Sequence, residues 1–184
     1  MPPKPWYELL FWELVSLLTS AGLGQGAVTY SGVPPTLYDK EAADEAIRAT
    51  IVAFCDAQVG EIYKYAIEHG FSELDPEGWD CSELAENAYN RAGLAYPDGC
   101  VNQKAAIGHR RVIEPLAGDV FFYGPNAQGI PHTGIYTGRG TAINALGGKV
   151  GMVVEQDRAA IEAHPRFEGW YRHTDLAYPP EARA

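Results

Sequence analysis

Cysteine is scarce in this chain of 184 residues, and none of its three cysteines, Cys55, Cys81 and Cys100, shows Cys-x-x-Cys spacing. A structural zinc site is therefore not expected. An odd number of cysteines leaves at least one thiol unpaired, which fits a reduced compartment or a catalytic thiol better than a disulfide framework. We expect Cys55 to lie in the core, on the apolar side of a helix, and Cys100 to lie in a loop after residues 97–99.

Basic residues are also few, since 14 Lys and Arg stand against 24 Asp and Glu and give a net charge of −10. Nucleic-acid binding requires a basic surface, and no basic stripe is present, so we predict no nucleic-acid partner. The simplest consequence of the acidity is solubility. With 46% hydrophobic residues the chain can bury one substantial core.

The sequence has no apolar run long enough to cross a bilayer. The longest, residues 6–18, is interrupted by Glu8 and Glu13 and is followed by no clear small-residue cleavage site, so we expect no transmembrane segment and no secretory signal peptide. At helical spacing this run predicts an amphipathic helix whose apolar face includes Trp6, Phe11, Leu14 and Leu18. Packing on the chain's own core and docking on a partner protein both remain open for this face.

Residues 21–35 are rich in Gly, Ser and Pro, which is typical of a linker. We therefore predict an N-terminal helix with its linker over residues 1–35 and a main domain over residues 36–184. Within the main domain, helical spacing comes first, and short strands are predicted afterwards at residues 119–123, 132–137, 141–146 and 150–155. This order predicts an α+β fold, with a helical layer packed on one face of an antiparallel sheet.

Cys81 lies at the predicted start of a helix. Asp80 is suited to be its N-cap, an apolar pattern continues to Ala92, and Gly93 ends it. A thiol in the first turn meets the positive end of the helix dipole, which favours the thiolate. On this segment alone, a nucleophile and a small packing residue are both reasonable interpretations.

His132 and Asn144 lie in consecutive predicted strands. If residues 138–140 form a three-residue loop, Thr137 pairs with Thr141, and His132 and Asn144 become diagonal neighbours on one face. A two-residue loop would turn Asn144 to the other face. In the first arrangement we expect the Asn144 amide oxygen to accept a hydrogen bond from Nδ1–H of His132, which leaves Nε2 directed at the thiol.

Three sequence blocks in this order resemble the signature blocks of NlpC/P60 cysteine peptidases. Residues 79–84 read W-D-C-S-E-L, residues 115–122 read P-L-A-G-D-V-F-F, and residues 132–136 read H-T-G-I-Y. The family pattern is D-C-S-G-L, then P-G-D-L-V-F-F, then H-V-G-I-Y. The resemblance implies a papain-like fold in which a helical layer carries the Cys and an antiparallel sheet carries the His and a third polar residue.

The resemblance also implies a function. Cys81 would be the nucleophile, His132 the base and Asn144 the orienting residue. Tyr63 would line the substrate pocket, with Tyr65 as a competing match, and the family's free-amine clamp falls on residues 80 and 82, namely Asp80 and Ser82. The implied reaction is hydrolysis of peptidoglycan stem peptides between D-γ-glutamate and the diamino acid, with no metal ion and no cofactor.

Two features leave the substrate and setting open. Glu83 stands where the family has glycine, which places bulk and negative charge beside the nucleophile. The N-terminal helix and the missing signal peptide suggest a structural or assembly component, such as part of a phage tail or secretion apparatus, and this role is compatible with a virion-borne lysin. An amidase or deamidating toxin of the same fold is a third possibility. The sequence does not determine the location, and both a place on a virion and export by a non-Sec route to act on the cell wall stay open.

Overall fold

The computed structural model describes residues 37–66, 78–129 and 131–176. The predicted N-terminal helix, with Trp6, Phe11, Leu14 and Leu18, and its linker lie outside these residues. Docking through that helix and the boundary at residue 35 therefore stay predictions. In the part of the chain that the structure describes, none of the helices combines the length and the apolar character needed to span a membrane.

Within the described residues three helices precede the sheet, and their bounds are Leu37–Ala57 for α1, Cys81–Arg91 for α2 and Cys100–Ile107 for α3. α2 begins where the sequence predicts. Oδ1 of Asp80 accepts hydrogen bonds from the N–H groups of Ser82 and Glu83, each at 2.9 Å. These two bonds satisfy donors that the first turn of a helix otherwise leaves unpaired.

Six strands form one antiparallel sheet in the order β1-β6-β2-β3-β4-β5. Their bounds are Arg111–Val112 for β1, Val120–Tyr123 for β2, His132–Tyr136 for β3, Thr141–Leu146 for β4, Met152–Asp157 for β5 and Phe167–Tyr171 for β6; a short helix, α4, spans Arg158–Glu162 between β5 and β6. Strands β2 to β5 are the four that the sequence predicts. With the helices, this sheet confirms the α+β fold.

The hairpin of β3 and β4 has the register of the three-residue loop. Ile135 pairs with Ile143, and the N–H of Thr137 donates to the carbonyl of Thr141. The loop contains two glycines with φ of 83° and 85°, a region that residues with a Cβ rarely adopt. Because side chains alternate along a strand, this register places His132 and Asn144 on the same face.

Strand β2 is buried on both faces, as expected for a strand near the middle of a covered sheet. Val120 and Phe122 pack in the larger core cluster with the helices. Phe121 and Tyr123 pack in a second cluster with Trp170 on the other face. The second cluster supports the face on which His132 lies, because the His132 ring centroid is 5.9 Å from that of Phe121 and 5.6 Å from that of Tyr123.

Asp119, immediately before β2, is fully buried and joins distant parts of the chain. Its Oδ2 accepts from Arg172 Nη2 at 2.6 Å, and its Oδ1 accepts from Arg48 Nη1 of α1 at 3.1 Å. The N–H of Leu116 donates to Oδ2 at 2.8 Å. The aspartate of the second signature block therefore fixes α1 and the end of β6 relative to the start of β2.

One prediction about local structure is wrong, and the strand prediction is incomplete. Cys100 is the first residue of α3, not part of a loop. Gly99 provides no side-chain cap, and the apolar residues of α3 do not repeat at helical spacing, so the usual signals of a helix are missing. The prediction of four strands also missed β1 and β6. β1 has two residues, and β6 contains Gly169 with a φ of 132° and shifts its register against β2 between Phe122 and Tyr123.

Candidate active site

Cys81 is the first residue of α2, and its thiol lines a cleft of about 530 Å³. The pKa of this thiol is lowered well below its ordinary value. The largest cause is a hydrogen bond from Cys100, which lowers the pKa, whereas burial raises it. The hydrogen bond and the charge of His132 also lower the pKa of Cys81, and so does the hydrogen bond from the N–H of Thr133. A thiolate in a cleft at a helix start has the properties of an activated nucleophile.

His132 Nε2 lies 2.8 Å from Asn144 Oδ1. An amide oxygen only accepts, so Nε2–H donates, and Nδ1 is left for the hydrogen bond with Cys81. The structure thus brings the three predicted residues together, but the predicted assignment of the ring nitrogens is wrong. The reason is reach, because Asn144 is a diagonal neighbour and only the distal nitrogen of the imidazole extends across the hairpin to it.

The pKa of His132 is raised although burial lowers it. The hydrogen bond and negative charge of Cys81 outweigh burial, and the bond to Asn144 adds to them. Asn144 is fully buried, and its Nδ2 donates to Gln156 Oε1 of β5 at 3.0 Å. Gln156 orients the amide so that its oxygen faces the imidazole, a role that pattern reading from the sequence alone missed.

Tyr63 and Tyr65 both line the cleft. Tyr65 is 66% exposed, whereas Tyr63 is half-buried and its pKa is raised to about 12, first by burial and then by the charges of Cys81 and Asp80. The Tyr63 ring also packs close to Gly147, where an added Cβ would lie 2.9 Å from Tyr63 Cε1. Tyr63 is therefore held beside the nucleophile, while Tyr65 lies at the rim.

Asp80 and Ser82 flank the nucleophile but do not line the cleft itself. Asp80 Oδ1 is used by the helix cap and by the Ser82 hydroxyl, which donates to it at 2.9 Å. The pKa of Asp80 is raised by burial, against the effect of the hydrogen bonds from Glu83 and Ser82. The cap and the bond from the Ser82 hydroxyl therefore both use Oδ1 of Asp80.

The side chain of Glu83 is buried and lies outside the cleft. Asn87 Nδ2, one helical turn later, donates to Glu83 Oε1 at 3.0 Å. The carboxylate expected beside the nucleophile is thus hydrogen-bonded to Asn87 and does not border the cleft. Among the described residues, Glu83 forms with Glu86 and Asp98 a group whose carboxylate oxygens lie within 4.8 Å of one another and could hold a cation, apart from the cleft.

The far wall of the cleft carries two residues that pattern reading did not single out, His164 and Arg166. The His164 ring stacks on Tyr123 with centroids 4.2 Å apart, and Arg166 Nη1 donates to the carbonyl of Gly124 at 2.9 Å. Burial and the charge of Arg166 lower the pKa of His164. His164 and Arg166 lie on the segment between α4 and β6, for which the sequence patterns predicted no structure or function.

The sequence profile of the NlpC/P60 family matches residues 60–172, more than half of the chain and all three residues of the Cys81, His132 and Asn144 set. The chain belongs to the NlpC/P60 family. This NlpC/P60 chain is 32% identical over 96 residues to the bifunctional muramidase/DL-endopeptidase CwlT of Bacillus subtilis, covering 50% of this chain and 29% of that protein. It is 33% identical over 125 residues to the probable endopeptidase Cgl2188 of Corynebacterium glutamicum, covering 63% of this chain and 55% of that protein. The chain therefore spans only part of these relatives.

Solved structures show the same fold. The peptidoglycan hydrolase RipB of Mycobacterium tuberculosis superposes with a TM-score of 0.59 at 22% identity, covering 89% of this chain and 79% of that chain. RipD of the same organism, described as a non-catalytic NlpC/p60 domain protein adapted to peptidoglycan binding, gives a TM-score of 0.54 at 22% identity, covering 70% and 97%. The predicted NlpC/P60 fold is confirmed, and because the fold occurs with and without catalysis, activity has to be argued from the site.

Proposed function

We propose that this NlpC/P60 domain is a cysteine endopeptidase that hydrolyses peptidoglycan stem peptides, with the bond between D-γ-glutamate and the diamino acid as its target. The observation that carries the proposal is the arrangement of Cys81, His132 and Asn144, with the 2.8 Å bond between the last two, at the wall of an open cleft. The cell wall is the place of action that this substrate requires.

The reaction begins from the ion pair of Cys81 thiolate and His132 imidazolium. Sγ attacks the carbonyl carbon of the scissile amide and forms a tetrahedral intermediate whose oxygen carries the negative charge. The cap uses the N–H groups of Ser82 and Glu83 and leaves that of Cys81 at the start of the helix, where it is suited to hold the oxyanion.

The second half of the reaction uses the proton on Nδ1 of His132. Nδ1–H donates its proton to the leaving amine as the C–N bond breaks, and a thioester on Cys81 remains. Neutral Nδ1 then takes a proton from water, whose oxygen attacks the thioester and releases the free enzyme. Asn144 holds Nε2–H throughout, so that Nδ1 stays directed at the sulfur.

The amine clamp belongs to the same proposal. The helix cap uses Asp80 Oδ1 and not Oδ2, and the charge of Asp80 contributes to the raised pKa of Tyr63. A protonated N-terminal amine on the acyl side of the substrate would be paired with Asp80, and Tyr63, protonated at neutral pH, can donate a hydrogen bond to the peptide. Such a site favours stem peptides whose first residue has a free amine.

The test is digestion of a purified stem peptide, L-Ala-γ-D-Glu-diamino acid, with a free or an acetylated N-terminus. Wild-type protein is expected to release the diamino acid from the free peptide, measured by chromatography of the amine. Cys81→Ala is expected to be inactive. Cys55→Ala is the matched control, because that thiol is buried in the core and takes no part in the site.

Equal release by wild type and Cys81→Ala would overturn the proposal. If neither protein releases the diamino acid but wild type still binds the peptide, the site has the binding function described for RipD. If only the acetylated peptide is cut, the amine clamp is wrong while the Cys-His-Asn chemistry stands.

A further inference from the structure

The nucleophile has a second thiol in contact with it. Cys81 Sγ and Cys100 Sγ lie 3.7 Å apart. Each cysteine is the first residue of a helix, Cys81 of α2 and Cys100 of α3, so the two sulfurs meet where two helix starts face one another. The peptidase reaction uses Cys81 and makes no use of a second sulfur, so this contact calls for its own explanation.

Each of the two cysteines lines a cavity, although both residues are buried. Cys81 is 8% exposed and lines the catalytic cleft, while Cys100 is 7% exposed and lines a neighbouring cavity of about 420 Å³. Pro131 borders both spaces. Cys55, in contrast, is fully buried in the main core cluster. An oxidant of the size of hydrogen peroxide therefore has access to the pair without unfolding of the domain.

We propose that Cys81 and Cys100 form a reversible modification site, at which a peroxide converts the two thiols to a disulfide and so removes the nucleophile. The sulfurs are in contact and need to approach from 3.7 Å to about 2.0 Å to bond. The site needs no partner protein, because both sulfurs belong to the same domain.

The reaction proceeds in two balanced steps. The Cys81 thiolate attacks one oxygen of hydrogen peroxide, the O–O bond breaks, and hydroxide leaves as water after taking a proton, which gives a sulfenic acid on Cys81. The sulfur of Cys100 then attacks the Cys81 sulfur, the S–O bond breaks, and the hydroxyl group leaves with the Cys100 proton as water. The dithiol loses two electrons and two protons, and the peroxide is reduced to two waters.

The order of events follows from the different state of the two thiols. The hydrogen bond that Cys100 donates to Cys81, together with burial, raises the pKa of Cys100, so Cys81 is the thiolate and reacts first. Once Cys81 has become a neutral sulfenic acid, the negative charge that held the Cys100 proton is gone. Cys100 is then placed at contact distance to resolve the sulfenic acid before a second peroxide oxidises it to an irreversible sulfinic acid.

The experiment treats the full chain with hydrogen peroxide and measures thiols, intact mass and activity before and after dithiothreitol. Wild type is expected to lose two hydrogen atoms, to retain one of its three thiols, to give a Cys81–Cys100 cross-linked peptide after proteolysis, and to recover fully on reduction. Cys100→Ser is expected to gain two oxygen atoms on Cys81 and to stay inactive after reduction, each variant being compared with its own untreated activity.

The control is Cys55→Ala, which is expected to form the same disulfide with wild-type yield. A wild-type peptide map with sulfinic acid at Cys81 and a free thiol at Cys100 would overturn the proposal, as would a disulfide that includes Cys55. The map of the wild-type protein decides this even if Cys100→Ser does not fold. Because mass and thiol content need no substrate, the result is independent of whether the proposed peptidoglycan substrate is correct.

Discussion

The amide oxygen of Asn144 accepts its hydrogen bond from the ring nitrogen of His132 that is farther from the main chain, Nε2, at 2.8 Å. Nδ1 therefore faces Cys81. Because Asn144 acts through the imidazole, it is a positioning residue, and its loss is expected to lower kcat more than it raises KM. We predict a fall in kcat of about ten- to a hundredfold for Asn144→Ala, below the roughly 10²- to 10⁴-fold that a general acid–base group contributes.

The measurement is steady-state kinetics on the stem peptide, with Gln156→Ala as a milder companion variant. Gln156 acts on the imidazole through the amide of Asn144, so its loss is expected to cost less than the loss of Asn144 itself. A KM effect without a kcat effect in Asn144→Ala would place the residue in substrate binding and contradict the positioning role.

The pH dependence follows from the opposite shifts of Cys81 and His132. The lowered pKa of Cys81 keeps the thiolate present below the pH at which a free thiol ionises, about 8.5. The raised pKa of His132 keeps the imidazolium present above the ordinary value of about 6.5. We predict a bell-shaped kcat/KM whose acid limb reports loss of the thiolate and whose basic limb reports loss of the imidazolium, both being properties of the coupled pair.

The rate of alkylation by iodoacetamide measures the ionisation of the Cys81 thiol separately from that of His132, because only the thiolate reacts. The rate for Cys81 in wild type is expected to have its midpoint below about 8.5, and His132→Ala is expected to move that midpoint upward because the imidazolium no longer stabilises the thiolate. Cys55 serves as an internal control, since burial raises its pKa and it should react only after unfolding. An unchanged midpoint in His132→Ala would contradict the ion pair.

The features of the site that could be predicted from the sequence are those that a short stretch of sequence determines. The Gly-Arg-Gly loop determines the register between β3 and β4. This register in turn places His132 and Asn144 on one face, so a local sequence pattern was enough to predict that arrangement. The Asp80 cap is encoded in a few residues. In contrast, the contact of Cys100 with Cys81 arises from the packing of two helices, which no periodicity records. The support from Gln156 and the assignment of the ring nitrogens depend on how far side chains reach between neighbouring strands, which the register alone does not determine.

Gly134, in the third signature block, has a steric role in the site. A Cβ at this position would lie 2.6 Å from both Asn144 Cβ and Phe121 Cε1 and 2.8 Å from the carbonyl oxygen of Ile143. We predict that Gly134→Ala displaces Asn144 and lowers kcat by about tenfold or more, since small misplacements of catalytic groups are costly. Kinetics and thermal unfolding are measured on the same preparation.

Gly140→Ala is the control for that variant. Gly140 has a positive φ of 85°, but a Cβ added there would meet no atom within 4 Å, so alanine is expected to reduce stability without moving the site. If both variants lose stability and only Gly134→Ala loses activity per folded molecule, the steric role is confirmed. Wild-type kcat in Gly134→Ala would contradict it.

Tyr63 and Tyr65 compete for one position of the family pattern, and their surroundings differ. Tyr63 is half-buried beside Cys81 and stays protonated at neutral pH, with a pKa of about 12. We predict that Tyr63→Phe raises KM by about three- to tenfold, because a net hydrogen bond is worth roughly 1 kcal/mol. Tyr65→Phe, at the exposed rim, is the matched control and should leave KM within experimental error; the reverse result would assign the family's tyrosine to Tyr65.

Asp119 is predicted to support stability, because it is the carboxylate between two buried arginines, Arg172 and Arg48. In Asp119→Asn the charge is lost while the shape is kept, and the two buried guanidinium groups lose the negative charge that lies between them. We expect a loss of about 3–5 kcal/mol in the free energy of unfolding, the range for breaking a buried ion pair. Asp56→Asn, which removes an exposed partner of Arg139, should cost less than about 1 kcal/mol. Urea unfolding compares the two, and equal losses would show that burial of the Asp119 cluster does not set its contribution.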